Sequence, residues 1–507
     1  MSEEGVGVDG TTAGKKKEIG ALLALAGAIA VLHLLTNGRY GFHRDELQFL
    51  TDAKHPDWGF VAFPPLDPFV ERVSMAVFGL SMVGLRLASV VAQAVAVVVT
   101  GLMAKELGGG RLAQVTAALA MALSPVSLGN GTEFQYTSFD FLWWVLLAYF
   151  VVRLLESGNP RWWLAIGTVA GLGLMTKYSI LFFIAGLLGG FALTRARRLL
   201  ASWYFAAAIG ITVLITLPNL VWQAHHGWIS YDFLQSIHRR DVGEGRAQGF
   251  LVQQLWLCTN LFSVPLWVAG LVAAFWNRRW RVLGWMYVIP LALFFFGKGR
   301  GYYLGAAYPM LMAVGAVAGE RWLEKLNKVW RRVVTIAFLG GITAYGVLMV
   351  AAIVPLAGSG PLMRFAMKNN GDLREETGWP QIVQVVAGIR DSLPRVERAQ
   401  TGILVGNYGE AGAIAILGPQ YGLPAPISGT NTAWYWGYPS PPPTTLIVLG
   451  LSQDYADRLL TGCRVAGHAV NPYGLENEES RDHPDILLCG GPRQGWPEFW
   501  KGFQHFG

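Results

Sequence analysis

Apolar runs dominate the first 355 residues of this chain and decide its reading. The first, Ile19 to Leu35, is a 17-residue stretch interrupted only by His33. Others lie at 84–104, 112–128, 138–155, 162–176, 179–194, 202–221, 256–276, 282–296, 304–319 and 333–355. Each approaches the roughly 17–25 residues that carry a helix across a bilayer. The pattern predicts an α-helical polytopic membrane protein with about 11 transmembrane helices. After Pro355 the long runs stop and shorter alternating segments take over. They predict a helix at Trp379–Leu393, a strand at Thr401–Val405 and a helix from Glu410 to Leu417. A strand at Thr445–Leu449, a helix over Asp454–Cys463 and a last strand at Asp485–Leu488 complete a small α/β domain. No internal repeat or heptad pattern is visible.

Charge placement orients the spans. With Lys15, Lys16 and Lys17 held in the cytoplasm ahead of the first run, the cytoplasmic joints fall at Lys105–Arg111, Arg153–Arg161, Arg195–Arg198, Asn277–Arg281 and Glu320–Arg332. Every one carries Lys or Arg, which is the positive-inside pattern. The expected organisation is a disordered cytoplasmic N-terminus over residues 1–18, a membrane domain over 19–355 and an extracytoplasmic α/β domain over 356–507. Eleven spans place that last domain outside. Residues 1 to 14, rich in Gly, Ser and Thr, are the disordered part.

Composition agrees with lipid as the solvent for much of the chain: 53% of its 507 residues are apolar and 14% charged. The net charge of +7 sits in short clusters between apolar runs and does not point to nucleic acid. Cys258, Cys463 and Cys489 fit no metal spacing, while Cys463 and Cys489 share the tail and can pair if it lies outside.

Candidate chemistry begins in the polar segment Gly41 to Pro65, directly after the first span. Asp45 and Glu46 are adjacent carboxylates beside Arg44 and His43, a set able to supply a general base with a charged neighbour that tunes it. A solvated loop with a helix cap explains the same residues equally well. Lys177, Lys298, Arg300, Arg239 and Arg240 fall on or near the outer face, against the charge bias, where basic groups need an anionic partner or a functional reason. Snorkelling from a helix end also accounts for Lys177. The segment Trp222 to Gln248, with His225, His226, Tyr231, Asp232 and His238, is long for a structureless connection and reads as a lid or binding loop.

The order of motifs resembles one family. Asp45-Glu46 is followed by His55-Pro56-Asp57-Trp58-Gly59-Phe60 and Phe63-Pro64-Pro65-Leu66. Then come Glu133-Phe134-Gln135 with Ser138-Phe139-Asp140, Gly173-Leu174-Met175-Thr176-Lys177-Tyr178, and Lys298-Gly299-Arg300-Gly301-Tyr302-Tyr303 with Tyr308-Pro309. This series resembles the ArnT-like and protein O-mannosyltransferase group, glycosyltransferase family 39, of the GT-C fold. The resemblance implies an inverting transfer from a polyprenyl-phosphate sugar to a lipid, glycan or protein acceptor on the outer side of the membrane. It implies Asp45 as general base and Glu46 as a supporting carboxylate or acceptor contact. Lys177, then Lys298 and Arg300, become candidates for the lipid phosphate, where one well-aimed donor contributes roughly 3–4 kcal/mol in the transition state. Arg239, Arg240, Tyr302 and Tyr303 are further donor-side candidates. Glu133, Asp140 and His55 are candidates for sugar or acceptor. Asp140 can equally be a helix-start acid stabilised by the dipole. No cluster has decisive ligand spacing, so a divalent metal stays open.

In the tail, Asn407 to Gly412 and Gly418 to Pro424 are Gly-rich, but no nucleotide-binding spacing follows a strand, and turns explain them. Asn431 to Tyr438 (NTAWYWGY) is an aromatic stretch suited to stacking on sugars or to packing the tail. A lipid-sugar transporter or flippase, or a non-catalytic binder of lipid-linked sugar, is the alternative. A transporter should show related halves or paired broken helices.

Overall fold

Backbone inside hydrocarbon must satisfy its own hydrogen bonds, so the apolar runs fold as helices. The computed structural model describes residues 9–507 apart from 470, 472, 473, 475 and 476, with side chains from residue 19 onward. The disorder expected for residues 1 to 14 falls partly on 1–8, outside the described residues; from Asp9 the backbone is helical.

Among the described residues six helices are long and apolar enough to cross a membrane: Ile19–Thr36, Met82–Glu106, Tyr136–Ser157, Trp203–His225, Gly301–Leu323 and Lys328–Ile353. Three helix pairs qualify only together and are bent, which raises the number to nine if each pair is one span. Arg111–Ala122 and Pro125–Thr132 meet at 62°, where Pro125 cannot donate to the preceding turn and starts a new helix. Phe250–Trp256 and Leu261–Trp276 meet at 98°, and Ile180–Ala192 turns by 108° into Arg195–Ala201. The runs read as continuous at 112–128 and 256–276 are therefore broken or begin earlier, because hydropathy does not register where a chain turns. Trp162–Leu174 and Arg281–Phe296 are shorter apolar helices. The segment read as a lid loop is mostly one helix, Ile229–Gly243.

The chain forms two compact units. One holds the chain up to Thr36, Arg86–Pro218 and Asp241–Val354; the other holds Asn37–Leu85, Asn219–Arg240 and Pro355–Gly507. In the first, helices approach closely through small residues. Val264–Trp276 meets Tyr308–Leu323 where Gly270 faces Gly315, and a Cβ on Gly315 would come within 3.1 Å of the Gly270 nitrogen. Lipid gives helices little hydrophobic reason to associate, so this close contact supplies the packing.

In the second unit five strands form one sheet: β1 Thr401–Val405, β2 Pro426–Ser428, β3 Thr445–Leu449, β4 Arg464–His468 and β5 Asp485–Gly490. Their order is β2-β1-β3-β5-β4, with β1 parallel to β2 and β3, and β5 antiparallel to β3 and β4. β1 is buried throughout, as befits a strand covered on both faces. Ile403, Val405, Ile447, Leu449 and Leu488 point to one side, under the helices Trp379–Ser392 and Tyr408–Leu417. Leu404, Leu446, Val448 and Leu487 point to the other, under Trp496, Phe499, Trp500 and Phe503. The predicted strands β1, β3 and β5 are present. β2 and β4 were not foreseen, because β2 has three residues beginning with proline and β4 is a polar edge strand, largely exposed. Cys463 and Cys489 are joined by a disulfide, with Cα atoms 4.1 Å apart.

Placing a branched side chain between the two membrane helices should force them apart. Gly315→Val is expected to lower the apparent Tm of the purified protein and its yield in folded form, while Gly319→Val, where an added Cβ meets nothing within 4 Å, leaves both unchanged. Thermal scanning of the two variants decides this.

Candidate active site

The segment after the first span folds as the helix Arg44–Lys54, and its start explains part of the acidic cluster. His43 is the N-cap; its Nδ1 accepts from the Asp45 amide at 3.2 Å, and its own amide donates to Glu46 Oε2 at 2.8 Å. This reciprocal capping box satisfies two orphan donors. Glu46, 1% exposed, thus has a structural task in its own helix. Asp45 is different. Its side chain is one-quarter exposed, and Oδ1 accepts the Tyr408 hydroxyl at 2.8 Å. Burial, and then the Asp45 charge, push the Tyr408 phenol well above its ordinary range, so it remains a donor at neutral pH.

Tyr408 opens the helix Tyr408–Leu417, whose N-cap Asn407 accepts from the Glu410 amide at 2.9 Å. This helix lies against Arg44–Lys54 through two glycines. A Cβ on Gly409 would sit 3.1 Å from the Arg44 Cβ, and one on Gly412 would sit 2.6 Å from the Leu47 Cβ. The Gly-rich motif of the tail is thus a close helix contact, and that contact brings the phenol to Asp45. Arg44 pairs with Glu478 and lies over the Tyr408 ring at 5.5 Å, while its Nε is 4.0 Å from Asp45 Oδ1. His55, at the end of the helix, stacks on Trp436 at 4.1 Å. The segment 219–240 joins the same unit: Trp222 donates to Asp57 at 2.8 Å, and His226 meets Tyr435 edge-on at 5.0 Å. Arg239 and Arg240 are exposed.

The donor-side candidates Lys177, Lys298, Arg300, Tyr302 and Tyr303 lie in the membrane unit. Lys177 sits in the turn between Trp162–Leu174 and Ile180–Ala192. Its Nζ lies 4.5 Å from the Tyr136 ring, 4.7 Å from Tyr303 and 5.8 Å from Tyr302, a cage of three π-faces around one ammonium. The sequence motif containing Tyr302-Tyr303 is therefore brought to Lys177, together with Tyr136, which sequence alone did not single out. Asp140 and Lys177 attract each other, and Asp140 also accepts from Trp144 and Ser179, both at 3.0 Å. Glu133 is half-buried just after Pro125–Thr132. Arg300 is committed elsewhere. Both its Nε and Nη2 donate to buried Asp241 at 2.6 Å, a bidentate pair, and Arg246 shares the same carboxylate at 3.4 Å. Lys298 is exposed, holds φ +51°, and lines a cavity of about 260 Å³ with Phe250 and Phe295. Among the described residues no group of three or more His, Cys, Asp or Glu is arranged to hold a metal ion.

The comparisons with known proteins agree with this architecture. Residues 62–222 match the family model described as dolichyl-phosphate-mannose-protein mannosyltransferase. An undecaprenyl phosphate-alpha-4-amino-4-deoxy-L-arabinose arabinosyl transferase of Pseudomonas fluorescens is 27% identical over 49% of this chain and 48% of its own. The lipid A galacturonosyltransferase RgtD of Rhizobium johnstonii is 26% identical over 53% and 57%, respectively. The chain spans about half the length of the curated relatives it matches. The crystal structure of ArnT from Cupriavidus metallidurans bound to undecaprenyl phosphate superposes with a TM-score of 0.58 at 14% identity, covering 93% of this chain and 98% of that one. The Archaeoglobus fulgidus oligosaccharyltransferase, in complex with Zn and sulfate, gives 0.52 at 13% identity over 95% and 76%. These likenesses establish the fold.

The acidic surroundings of Arg44 generate a pH prediction. Burial, and then the charge of Glu375, push the buried Glu479 carboxyl up to about 8, against the opposing pull of Arg44. The folded chain therefore keeps a proton that the unfolded chain releases near 4.5. This contribution to stability is complete below the unfolded value and is lost as pH rises toward 8. Glu479→Gln removes the proton requirement. It should stabilise the protein at pH 7 by roughly 2–4 kcal/mol and flatten the fall in apparent Tm across this window. A pH series of melting curves measures it; an unchanged slope counts against the buried-proton account.

Proposed function

We propose that the chain is an inverting membrane glycosyltransferase of the ArnT-like group, on the GT-C fold it shares with ArnT. It transfers a sugar from a polyprenyl phosphate to a lipid-borne acceptor on the outer side of the membrane. One observation carries the reading. In the first polar segment after the first span, Asp45 presents a partly exposed carboxylate fixed by a phenol hydrogen bond and flanked by Arg44. Relatives named for undecaprenyl-phosphate arabinose transfer and for lipid A galacturonosyl transfer support the donor and acceptor classes.

In the proposed reaction the acceptor hydroxyl gives its proton to Asp45 as its oxygen forms a bond to the anomeric carbon. The bond from that carbon to the phosphate oxygen breaks, and its electron pair leaves with the polyprenyl phosphate. Lys177, held among three tyrosine rings, is assigned to the charge that develops on the leaving phosphate. Glu46 supports the base through the helix cap it completes. Asp140, Glu133 and His55 remain candidates for sugar or acceptor contacts, with Lys298, Arg239 and Arg240 as candidates for the lipid phosphate. Tyr302 and Tyr303 serve the donor side through Lys177.

The assigned topology has a cytoplasmic N-terminus over 1–18, a membrane domain over 19–355 and an extracytoplasmic domain over 356–507. The Cys463–Cys489 disulfide supports an oxidising location for the last of these.

Asp45→Asn should lower transfer from undecaprenyl-phosphate sugar by about 10²–10⁴-fold and leave binding of undecaprenyl phosphate intact. Transfer at the wild-type rate would remove Asp45 from the base role. Lys177→Met should weaken that same binding and lower turnover by roughly 10²–10³-fold. For topology, a cysteine placed at Gln453 in intact cells should react with a membrane-impermeant maleimide; protection until the cells are lysed would reverse the assignment.

A further inference from the structure

One cavity in the second compact unit has no role in the reaction as described so far. It holds about 480 Å³, within the range of small-ligand sites. Its first wall is the helix Arg44–Lys54, which contributes Gln48, Asp52 and His55. These positions follow Asp45 at intervals of three and four, so they continue the helix face on which Asp45 lies. The facing wall carries Trp436, stacked on His55 at 4.1 Å and itself 37% exposed. Tyr408 also lines the cavity and donates its hydroxyl to Asp45 at 2.8 Å. The cavity is thus joined to the proposed base through one side chain.

The lining chemistry selects the occupant. Lys54 is the one Lys or Arg among the lining residues, and its Nζ already donates to the Ala415 carbonyl at 3.0 Å. An anionic group would find little to neutralise it there. Asp52 is buried, with one carboxylate oxygen lacking a hydrogen-bond partner among the described residues. Burial pushes its carboxyl well above the ordinary range, toward the protonated form that can donate. An exposed indole, a primary amide at Gln48 and a carboxyl shifted toward its protonated form suit a ring that is apolar on its face and hydroxylated at its edge. A phosphate or a lipid tail suits them poorly.

We propose that this cavity is the acceptor subsite and that it takes a neutral, hydroxyl-rich sugar ring of the acceptor. The ring stacks on Trp436 and hydrogen-bonds to Gln48, with Tyr408 and Asp45 beyond it. The proposal rests on the glycosyltransferase reading, and it adds a substrate class and a location.

The test uses the full chain in nanodiscs free of glycoside detergent. Methyl hexosides at millimolar concentration are the probe, and saturation-transfer NMR reports their binding. Undecaprenyl phosphate binding is measured on the same samples. Wild type should transfer saturation to the ring protons. Trp436→Ala and Gln48→Ala should weaken hexoside binding by about tenfold, and Trp436→Phe should keep most of it, since an aromatic face remains. All three variants should bind undecaprenyl phosphate as wild type does, which separates loss of the subsite from loss of the fold. Absence of saturation transfer in wild type, or equal signals in wild type and Trp436→Ala, overturns the assignment. Failure of the glycosyltransferase reading looks different: wild type would show no transfer from undecaprenyl-phosphate sugar while the hexoside signal still depended on Trp436.

Discussion

The close approach of two helices is the constraint on which the candidate base depends. Arg44–Lys54 and Tyr408–Leu417 lie so near each other that Cβ atoms at Gly409 and Gly412 would collide with the first helix. Only that separation lets a phenol at the start of one helix reach a carboxylate at the start of the other. The second helix is in turn pinned to the sheet: Ile414 and Ala413 pack with Ile403, Val405 and Ile447 in one buried cluster that also includes Leu47 and Leu50. Burial of apolar surface therefore fixes the position of a polar contact. Side chains from residues more than 360 positions apart meet because a hydrophobic core holds their helices together.

The same helix start shows two adjacent acids separated by their surroundings. Glu46 is turned inward and completes a capping box, a neutral structural task that any buried helix end needs. Asp45 is turned toward Tyr408 and Arg44 and keeps contact with water. Sequence could place both at the beginning of a helix, and it offered capping and catalysis as rival explanations. The structure gives the first to Glu46, and the second is proposed for Asp45. Neighbouring positions on a helix point about 100° apart, so adjacent acids seldom share an environment.

What sequence made legible was set by hydropathy and periodicity. The membrane helices, β1, β3, β5 and the covering helices all follow from runs of apolar residues with a regular period. Bends between helices left no such trace, because the turn at Ser124-Pro125 or at Cys258 to Asn260 is made by local dihedral choices within an apolar stretch. Pairings across long sequence separation were also invisible. Nothing in the local sequence announces that Arg300 is bound to Asp241, or that Tyr136 joins Tyr302 and Tyr303 around Lys177. The tail's glycines were visible as a motif, but their purpose depends on a partner helix that begins 365 positions earlier, at Arg44.

Arg300 and Lys177, both placed against the charge bias, have different surroundings in the fold. Both are basic residues beyond the clusters expected for cytoplasmic loops, and both lie in motifs that resemble those of the ArnT-like group. Arg300 meets buried Asp241 through two parallel hydrogen bonds, which use two of its five donors, and Asp241 also pairs with Arg246 at 3.4 Å. Turning it toward a ligand would cost buried Asp241 two charge-assisted hydrogen bonds and leave Arg246, 3.4 Å away, as its remaining cation. Lys177 is surrounded differently. Three tyrosine faces, which carry no formal charge, attract its ammonium through their quadrupoles, and the Asp140 carboxylate attracts it as well. A cation confined in this way can meet an anionic leaving group with little reorganisation, which is the condition for strong electrostatic stabilisation. The distinction between the two residues lies in what each is paired with, and only the folded chain displays it.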